Sequence, residues 1–347
     1  MAAAATNEVP VFITGATGFM GSYLLRYLRQ CGYTRIRALR RPGSAMDLVA
    51  EVADQVEWVE GDVLDPVILE EAMQGISQVY HCAALVSFDP RDRRQMMVVN
   101  AQGTANVVNA ALYTGIDKLV QVSSIATLGR TRDGSLLNEE AKWQRSGFNT
   151  NYSISKFLAE QEVWRGVAEG LCAAIINPSV ILGSGRWQEG TPQIFKTIAS
   201  GYPFYTSGTI SLVDVRDVAR FAVQLMESKV HSERFILAAE SWSYESFLKA
   251  VAAELGARPP GLKARGWMLG LAWRSAWLWA QLSGTRPLLT RETAMNARLS
   301  FRYNHRKSLQ VFDFHYTPLA QTIAETARQF LEAQQEPGLP ARVLPFA

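Results

Sequence analysis

Thr14-Gly15-Ala16-Thr17-Gly18-Phe19-Met20-Gly21 follows the apolar, β-branched run from Val11 to Thr14 and precedes Tyr23 to Arg29, whose residues favour a helix. A strand, a glycine turn and a helix start in that order leave the first helical N–H groups unpaired, with the positive end of the helix dipole directed at an anion. Gly15 permits the tight turn, Gly18 lets the backbone approach phosphates, and Gly21 lets the helix pack on the strand. The stretch reads as a pyrophosphate cradle that includes Thr17, Phe19 and Met20. Its GxxGxxG spacing means little alone and gains meaning from the strand before it and the helix after it.

From this turn the same alternation runs outward. Short apolar runs at Val11 to Thr14, Ile36 to Leu39, Val56 to Glu60, Gln78 to Cys82, Lys118 to Val122 and Ala173 to Ile176 are separated by stretches of helical length. That pattern predicts an α/β fold with a doubly wound parallel sheet. After Pro178 the alternation weakens, and Gly, Pro and aromatic residues crowd the stretch to Gly208. Val213 to Glu227 reads as a strand end entering a helix, Phe235 to Ala238 as a strand, and the remainder to Ala333 as mostly helical. We therefore expect a cofactor domain over 9–180, with 209–240 returning to it, and a smaller, mostly helical substrate-binding region over 181–208 and 241–333. Residues 1–8 and the Pro-rich 334–347 are expected to be disordered tails.

Composition excludes other classes. The 347 residues are 48% apolar and 19% charged, and 35 Lys plus Arg against 32 Asp plus Glu leave +3. The apolar content is that of a globular chain. A charge this small gives no electrostatic reason to expect nucleic acid as a partner, so a small molecule is the expected ligand. Cys31, Cys82 and Cys172 are odd in number and widely spaced, which fits neither a disulfide framework nor a metal site and makes a reducing, cytoplasmic setting the default. Trp267 to Leu282 spans 16 residues and carries Arg274, Ser275 and Gln281, so no transmembrane span is expected there. Its Trp267, Trp273, Trp277 and Trp279 read as core, as aromatic substrate lining, or as a dimer or membrane-skimming surface.

Two further positions concern a nucleotide. The second strand runs into Arg40 and Arg41, where an acidic residue would accept a ribose 2′-hydroxyl in an NAD site. Guanidinium groups there suit a 2′-phosphate, favouring NADP(H) with NAD(H) possible; a solvated basic pair is the bland alternative. Asp62, after the third strand, is placed either to accept from an adenine amine or to cap a turn.

Tyr152-Ser153-Ile154-Ser155-Lys156 starts a helical stretch, and i, i+4 spacing puts Tyr152 and Lys156 on one face. A nearby ammonium and an oxidised nicotinamide both favour phenolate and bring an acid-base group with an ordinary pKa of about 10 toward the working range. YxxxK alone is common on solvated helix faces. Here Ser123 and Ser124 end the fifth strand at the carboxyl edge of the sheet, where such folds bind ligands, and Cys82-Ala83-Ala84 follow the fourth.

With these residues in hand, the chain resembles the short-chain dehydrogenase/reductase superfamily in its extended branch, the NAD-dependent epimerase/dehydratase fold. The resemblance is carried by Thr14 to Gly21, Gly61 to Asp65, His81 to Ala84, Asn100 to Thr104, Ser123-Ser124, Tyr152 to Lys156, Asn177 to Gly183 and Leu212 to Ala219. It implies a Rossmann domain, a Ser-Tyr-Lys triad at Ser124, Tyr152 and Lys156, and a smaller domain closing over substrate. It further implies cofactor contacts at Val63, Ala83, Ala84, Asn100, Ser123, Pro178 and Val180, and substrate contacts at Val86, Asn177 and Trp187. A homodimer through the helices Arg91 to Tyr113 and Tyr152 to Ala168 is implied as possible.

Within the branch, Asn177-Pro178-Ser179-Val180-Ile181-Leu182-Gly183 lacks the Arg, Asn and Tyr of the epimerase-like string, and Ile210-Ser211-Leu212 stands where those enzymes carry Arg-Asp-Phe. Both departures resemble the dihydroflavonol reductase-like and 3β-hydroxysteroid dehydrogenase-like members. Phe88, Trp187, Phe195, Tyr202, Phe204 and Tyr205 add aromatic area suited to an apolar substrate, or simply to a core. The expected activity is NADP(H)-dependent interconversion of a carbonyl and a secondary alcohol, with a sugar-nucleotide epimerase or dehydratase holding NAD as the alternative and a non-catalytic NADP-binding sensor as the second.

Overall fold

The computed structural model describes residues 7–129, 136–286, 289–336 and 343–346. Seven strands form the main sheet: β1 (Val11–Thr14), β2 (Ile36–Arg40), β3 (Glu57–Glu60), β4 (Gln78–His81), β5 (Lys118–Val122), β6 (Ala173–Pro178) and β7 (Arg234–Leu237). All neighbours are parallel, in the order β3-β2-β1-β4-β5-β6-β7. The doubly wound parallel sheet predicted from the strand runs is therefore present, and the strand order reverses between β1 and β4, the place where such sheets bind ligands.

The sheet is covered on both sides, as parallel sheets require, and successive residues of a strand serve opposite cores. Val11 and Ile13 of β1 join one cluster with Tyr23, Leu24 and Leu28 of α1 (Phe19–Gln30), whereas Phe12 joins another. That second cluster includes Val107 and Val108 of α2 (Gly103–Thr114) and Val163 of α3 (Asn151–Ala168). On the first face α1 packs on α4 (Val215–Glu227), whose Val218, Phe221, Ala222 and Leu225 are fully buried.

The second region is built on a three-stranded sheet in which Thr209–Asp214 lies between parallel Val180–Leu182 and antiparallel Glu240–Ser243. Thr209–Asp214 thus belongs to the smaller unit, and the chain returns to the main sheet only with α4 and β7, a correction to the expected boundary at 209. A third core gathers Leu182, Trp187, Phe195, Leu212 and Phe247 with Ile323 and Phe330. Trp187 packs edge-on against Phe195 and Phe330, at 6.4 and 5.1 Å between ring centroids, so Trp187 and Phe195 are core residues. The Trp-rich helix α5 (Gly266–Ser283) is different, because only Leu269 and Ala280 of its residues are buried, with Trp273 half-buried. The last helix, α6 (Leu319–Gln335), supplies Leu319, Ile323, Ala327 and Phe330 to the third core.

The expectation of disordered tails fails at Asn7, which bridges to Tyr33, at 334–335, which end α6, and at 343–346, while 1–6, 337–342 and 347 lie outside the described residues. The buried Tyr23 hydroxyl donates to the Ser184 carbonyl at 2.8 Å and accepts from the Leu344 N–H at 2.7 Å. Phe346 lies on Tyr27, 4.8 Å between centroids, and Leu344 is 1% exposed. A buried phenol that needs partners and an apolar pair that needs cover hold this segment in place. Leu344→Ala is expected to lower stability by about 2–4 kcal/mol, as large-to-small core changes do, measured by urea unfolding.

Candidate active site

The glycine turn is shaped by close backbone approach. Gly15 has φ +73°, and a Cβ on it would lie 2.6 Å from the Ala83 backbone nitrogen after β4. A Cβ on Gly21 would run into the Gly15 backbone, so α1 is seated directly on the turn. Helix α1 starts after Gly18 with no side-chain cap and no acidic residue in its first turn, leaving a dipole end free of competing negative charge.

Beyond the turn lies a cavity of about 370 Å³. Gly15, Thr17, Gly18, Phe19, Met20 and Gly21 line one end, Arg40, Arg41 and Ser44 with Asp62 and Val63 one flank, and Ser123, Tyr152 and Lys156 the far end. Ala83, Ala84 and Val86 connect the two ends. A more open depression of about 610 Å³ at Pro10, Ile36 and Gly75 is larger. It sits where the strands begin, whereas sheets of this kind bind ligands where strands end, so the smaller cavity is the candidate site.

At the far end α3 begins with Thr150, whose hydroxyl accepts from the Ser153 N–H at 3.0 Å, and continues with Tyr152 and Lys156 one turn apart. Burial pushes the Tyr152 hydroxyl above its ordinary value, and the neighbouring Ser124 hydroxyl partly offsets this. The net direction for the chain's own groups is upward. Ser124 Oγ itself accepts from the Ala126 N–H at 3.2 Å. The Lys156 ammonium donates to the Val122 carbonyl at 2.9 Å, toward the strand end. Burial lowers Lys156 to about 8, and the charge of Glu160 opposes that shift. Phe88 stands edge-on to Tyr152 at 6.1 Å, which makes it the aromatic neighbour of the proton-bearing group.

Other expected residues take different places. Asn177 is 0% exposed, and its side-chain amide donates to the Ser124 carbonyl, the Thr127 hydroxyl and Glu160. It therefore braces the strand ends and is no substrate contact. Trp187 is likewise removed from the cleft by its place in the third core. Asn100 exchanges hydrogen bonds with the N–H and carbonyl of Leu85 at 2.7 and 2.9 Å and donates to Ser155, so it anchors the loop after β4 and does not line the cavity. Pro178 ends β6 within the sheet. Val180 and Leu182 face the third core, and strand alternation gives the cavity Ile181 in their stead. Arg40 is not a free cation, since its guanidinium lies 3.6 Å from Glu60, its register partner on β3. Asp62 accepts from the Leu64 N–H at 3.0 Å, its turn-capping role, while still facing the cavity.

Glu160, on α3 one turn beyond Lys156, was missed. It is 0% exposed and accepts from Ser123 Oγ at 2.9 Å, Asn177 Nδ2 at 3.0 Å and Arg234 at 2.9 Å. A glutamate at the same i, i+4 spacing from Lys156 as Lys156 is from Tyr152 was the available signal. His81 is held neutral, its pKa lowered to about 3 by burial and by the charge of Lys156, and it bonds Thr14 and Thr104 at 2.7 and 2.9 Å. Among the described residues no cluster of His, Cys, Asp and Glu is arranged to hold a metal ion.

A glycine cradle at a strand-order reversal, continuous with a half-buried Tyr152 and a buried Lys156 one turn apart, defines a dinucleotide-binding oxidoreductase. The NAD dependent epimerase/dehydratase family matches residues 11–238, and the chain belongs to that family. It is 29% identical to a Synechocystis sp. protein provisionally named dihydroflavonol 4-reductase, over 92% of this chain and 94% of that one. It is 30% identical to cinnamoyl-CoA reductase 1 of Petunia hybrida, over 66% of this chain and 72% of that one. The crystal structure of gox2253 superposes with a TM-score of 0.79 at 31% identity, covering 94% of this chain and 98% of that one. The dTDP-glucose 4,6-dehydratase DesIV of Streptomyces venezuelae, solved with NAD bound, shares the fold at a TM-score of 0.77 and 18% identity, covering 95% of this chain and all of its own.

Proposed function

We propose that the protein is an NADP(H)-dependent reductase that interconverts a carbonyl and a secondary alcohol on a small, largely apolar substrate through Ser124, Tyr152 and Lys156. The observation that carries this reading is the single cavity lined by the glycine turn at one end and by Tyr152 and Lys156 at the other. The cradle fits a dinucleotide, because Gly15 and Gly21 let the turn pack backbone to backbone against the loop after β4 and the start of α1, and the α1 end that lines the cavity is uncapped. When bound, the nicotinamide supplies the hydride that the carbonyl carbon accepts.

The chain's own groups do the rest. Tyr152, kept protonated at neutral pH by burial, donates its phenolic proton to the substrate oxygen as negative charge develops there. Ser124, whose hydroxyl neighbours that phenol, would hold the same oxygen in reach. Lys156, fixed to the end of β5 through Val122, is the group that would hold ribose hydroxyls. Leu85, Val86, Val99 and Ile181 give the cavity an apolar stretch suited to a largely apolar substrate.

Arg40 and Arg41 line the opposite flank, where a 2′-phosphate would meet two guanidiniums. Converting both to Ala is expected to raise the KM for NADPH about tenfold or more while changing that for NADH little, read from initial rates with each cofactor. The reading as a whole is tested by following NADPH absorbance with apolar ketones and aldehydes beside UDP-sugars. Consumption with the carbonyl compounds supports it, and UDP-sugar conversion without net consumption overturns it in favour of an epimerase or dehydratase.

A further inference from the structure

Helix α5 carries two apolar faces. The inner one carries Leu269, Trp273 and Ala280 at helical spacing, and Leu269 and Trp273 pack with Ala264, Ala294 and Phe204. The outer one repeats at i, i+4, i+11 and i+15 as Trp267, Leu271, Leu278 and Leu282, nearly opposite the first, with Trp277 and Trp279 on its flanks. These six side chains are between 52% and 77% exposed. None lines the active-site cavity, and none belongs to a core cluster. Single exposed apolar residues are ordinary, but a contiguous stripe along a whole helix marks a surface that meets something.

The charge around the stripe says what. Between Glu254 and Glu292 the sequence holds six cations and no carboxylate, in a chain whose total charge is only +3. All six are exposed. Lys263 and Arg265 precede the helix, Arg274 lies beside the outer stripe and Arg286 follows its end. A second copy of the chain seated on this face across a two-fold axis would bring basic flank against basic flank, which is repulsive. Tryptophan and leucine ringed by Lys and Arg is instead the composition of a helix that lies in the plane of a membrane interface, apolar side chains among acyl chains and cations at anionic headgroups. The helix is not a spanning one, since no helix among the described residues is long and apolar enough to cross a membrane.

We infer that the outer face of α5 docks the protein onto an anionic lipid bilayer. The loop after the helix is tied to the active-site side of the molecule: the Arg286–Asp92 ion pair at 2.9 Å and the Arg91 donation to the Thr285 carbonyl at 3.0 Å join it to the segment that carries Phe88. Docking would therefore hold the cleft in one orientation to the lipid surface.

The test is co-sedimentation of the full chain with vesicles of phosphatidylcholine and phosphatidylglycerol in equal parts, beside vesicles of phosphatidylcholine alone. The expected result is binding to the mixed vesicles with a blue shift of tryptophan emission, weakened by salt and much weaker on the neutral vesicles. A Trp267→Ser, Leu271→Ser, Leu278→Ser variant changes only exposed side chains and should keep its melting temperature while its vesicle affinity falls at least about tenfold. Absence of binding to mixed vesicles, or undiminished binding by the folded variant, overturns the inference. So does a concentration-dependent dimer in sedimentation velocity that the variant abolishes, because a second copy would then be the occupant.

Discussion

Replacing Tyr152 by Phe is expected to lower kcat for carbonyl reduction by about a hundredfold to ten-thousandfold, the range over which a positioned acid-base group contributes, while NADPH binding stays near the original value. The substitution removes one oxygen from a half-buried side chain whose ring already stands edge-on to Phe88 at 6.1 Å, so packing is retained. What disappears is the proton that must reach the substrate oxygen as hydride arrives at carbon. The cradle is built from backbone at Gly15 to Gly21, far from this hydroxyl, and its anion affinity does not depend on it. Binding is measured by quenching of tryptophan emission on addition of NADPH, and turnover by NADPH absorbance. A loss confined to KM with kcat preserved would remove Tyr152 from the chemistry and leave it a substrate-binding residue.

How far the chain could be read in advance depended on the range of the forces involved. The strand runs lie close to the strands observed, because a strand buried on both faces writes its apolar residues consecutively: β1 is Val-Phe-Ile-Thr with all four residues buried. The glycine turn was legible for the same local reason. Asn177 and Trp187 misled because each belongs to a recognisable stretch while its side-chain direction is set by partners far along the chain, Glu160 and Thr127 for one, Phe195 and Phe330 for the other. Arg40 looked unpaired because its partner Glu60 adjoins it only through the β2–β3 register. The C-terminal segment looked disposable because the phenol it completes, Tyr23, lies 321 residues earlier. In each case a non-local partner satisfies a polar group or covers an apolar one, and no local periodicity records it.

Glu160→Gln is expected to lower stability by about 3 kcal/mol and to move the alkaline limb of the reduction profile to lower pH. The stability loss follows from burial: Glu160 is 0% exposed, and its carboxylate faces the mostly buried Arg234 at 2.9 Å. An amide of the same shape keeps hydrogen bonds to Ser123 and Asn177 but leaves that guanidinium without its anion, and breaking a buried pair on one side is costly. The pH effect has its own sign. Burial lowers Lys156 from an ordinary 10.5 to about 8, with Glu160 holding it up, so the ammonium is present below about pH 8 and lost above it. Reduction should therefore decline as pH rises through that value. Without Glu160 the lysine pKa falls further, and the decline begins at lower pH. The same depressed pKa means that the unfolded chain binds more protons than the folded one between about pH 8 and 10.5, so this lysine makes the parent protein more stable as pH rises through that window. Chemical unfolding and a kcat/KM profile on the same variant separate the two roles. A destabilised variant with an unmoved alkaline limb would leave Glu160 as scaffold only, whereas a shifted limb identifies it as the residue that keeps Lys156 charged beside Tyr152.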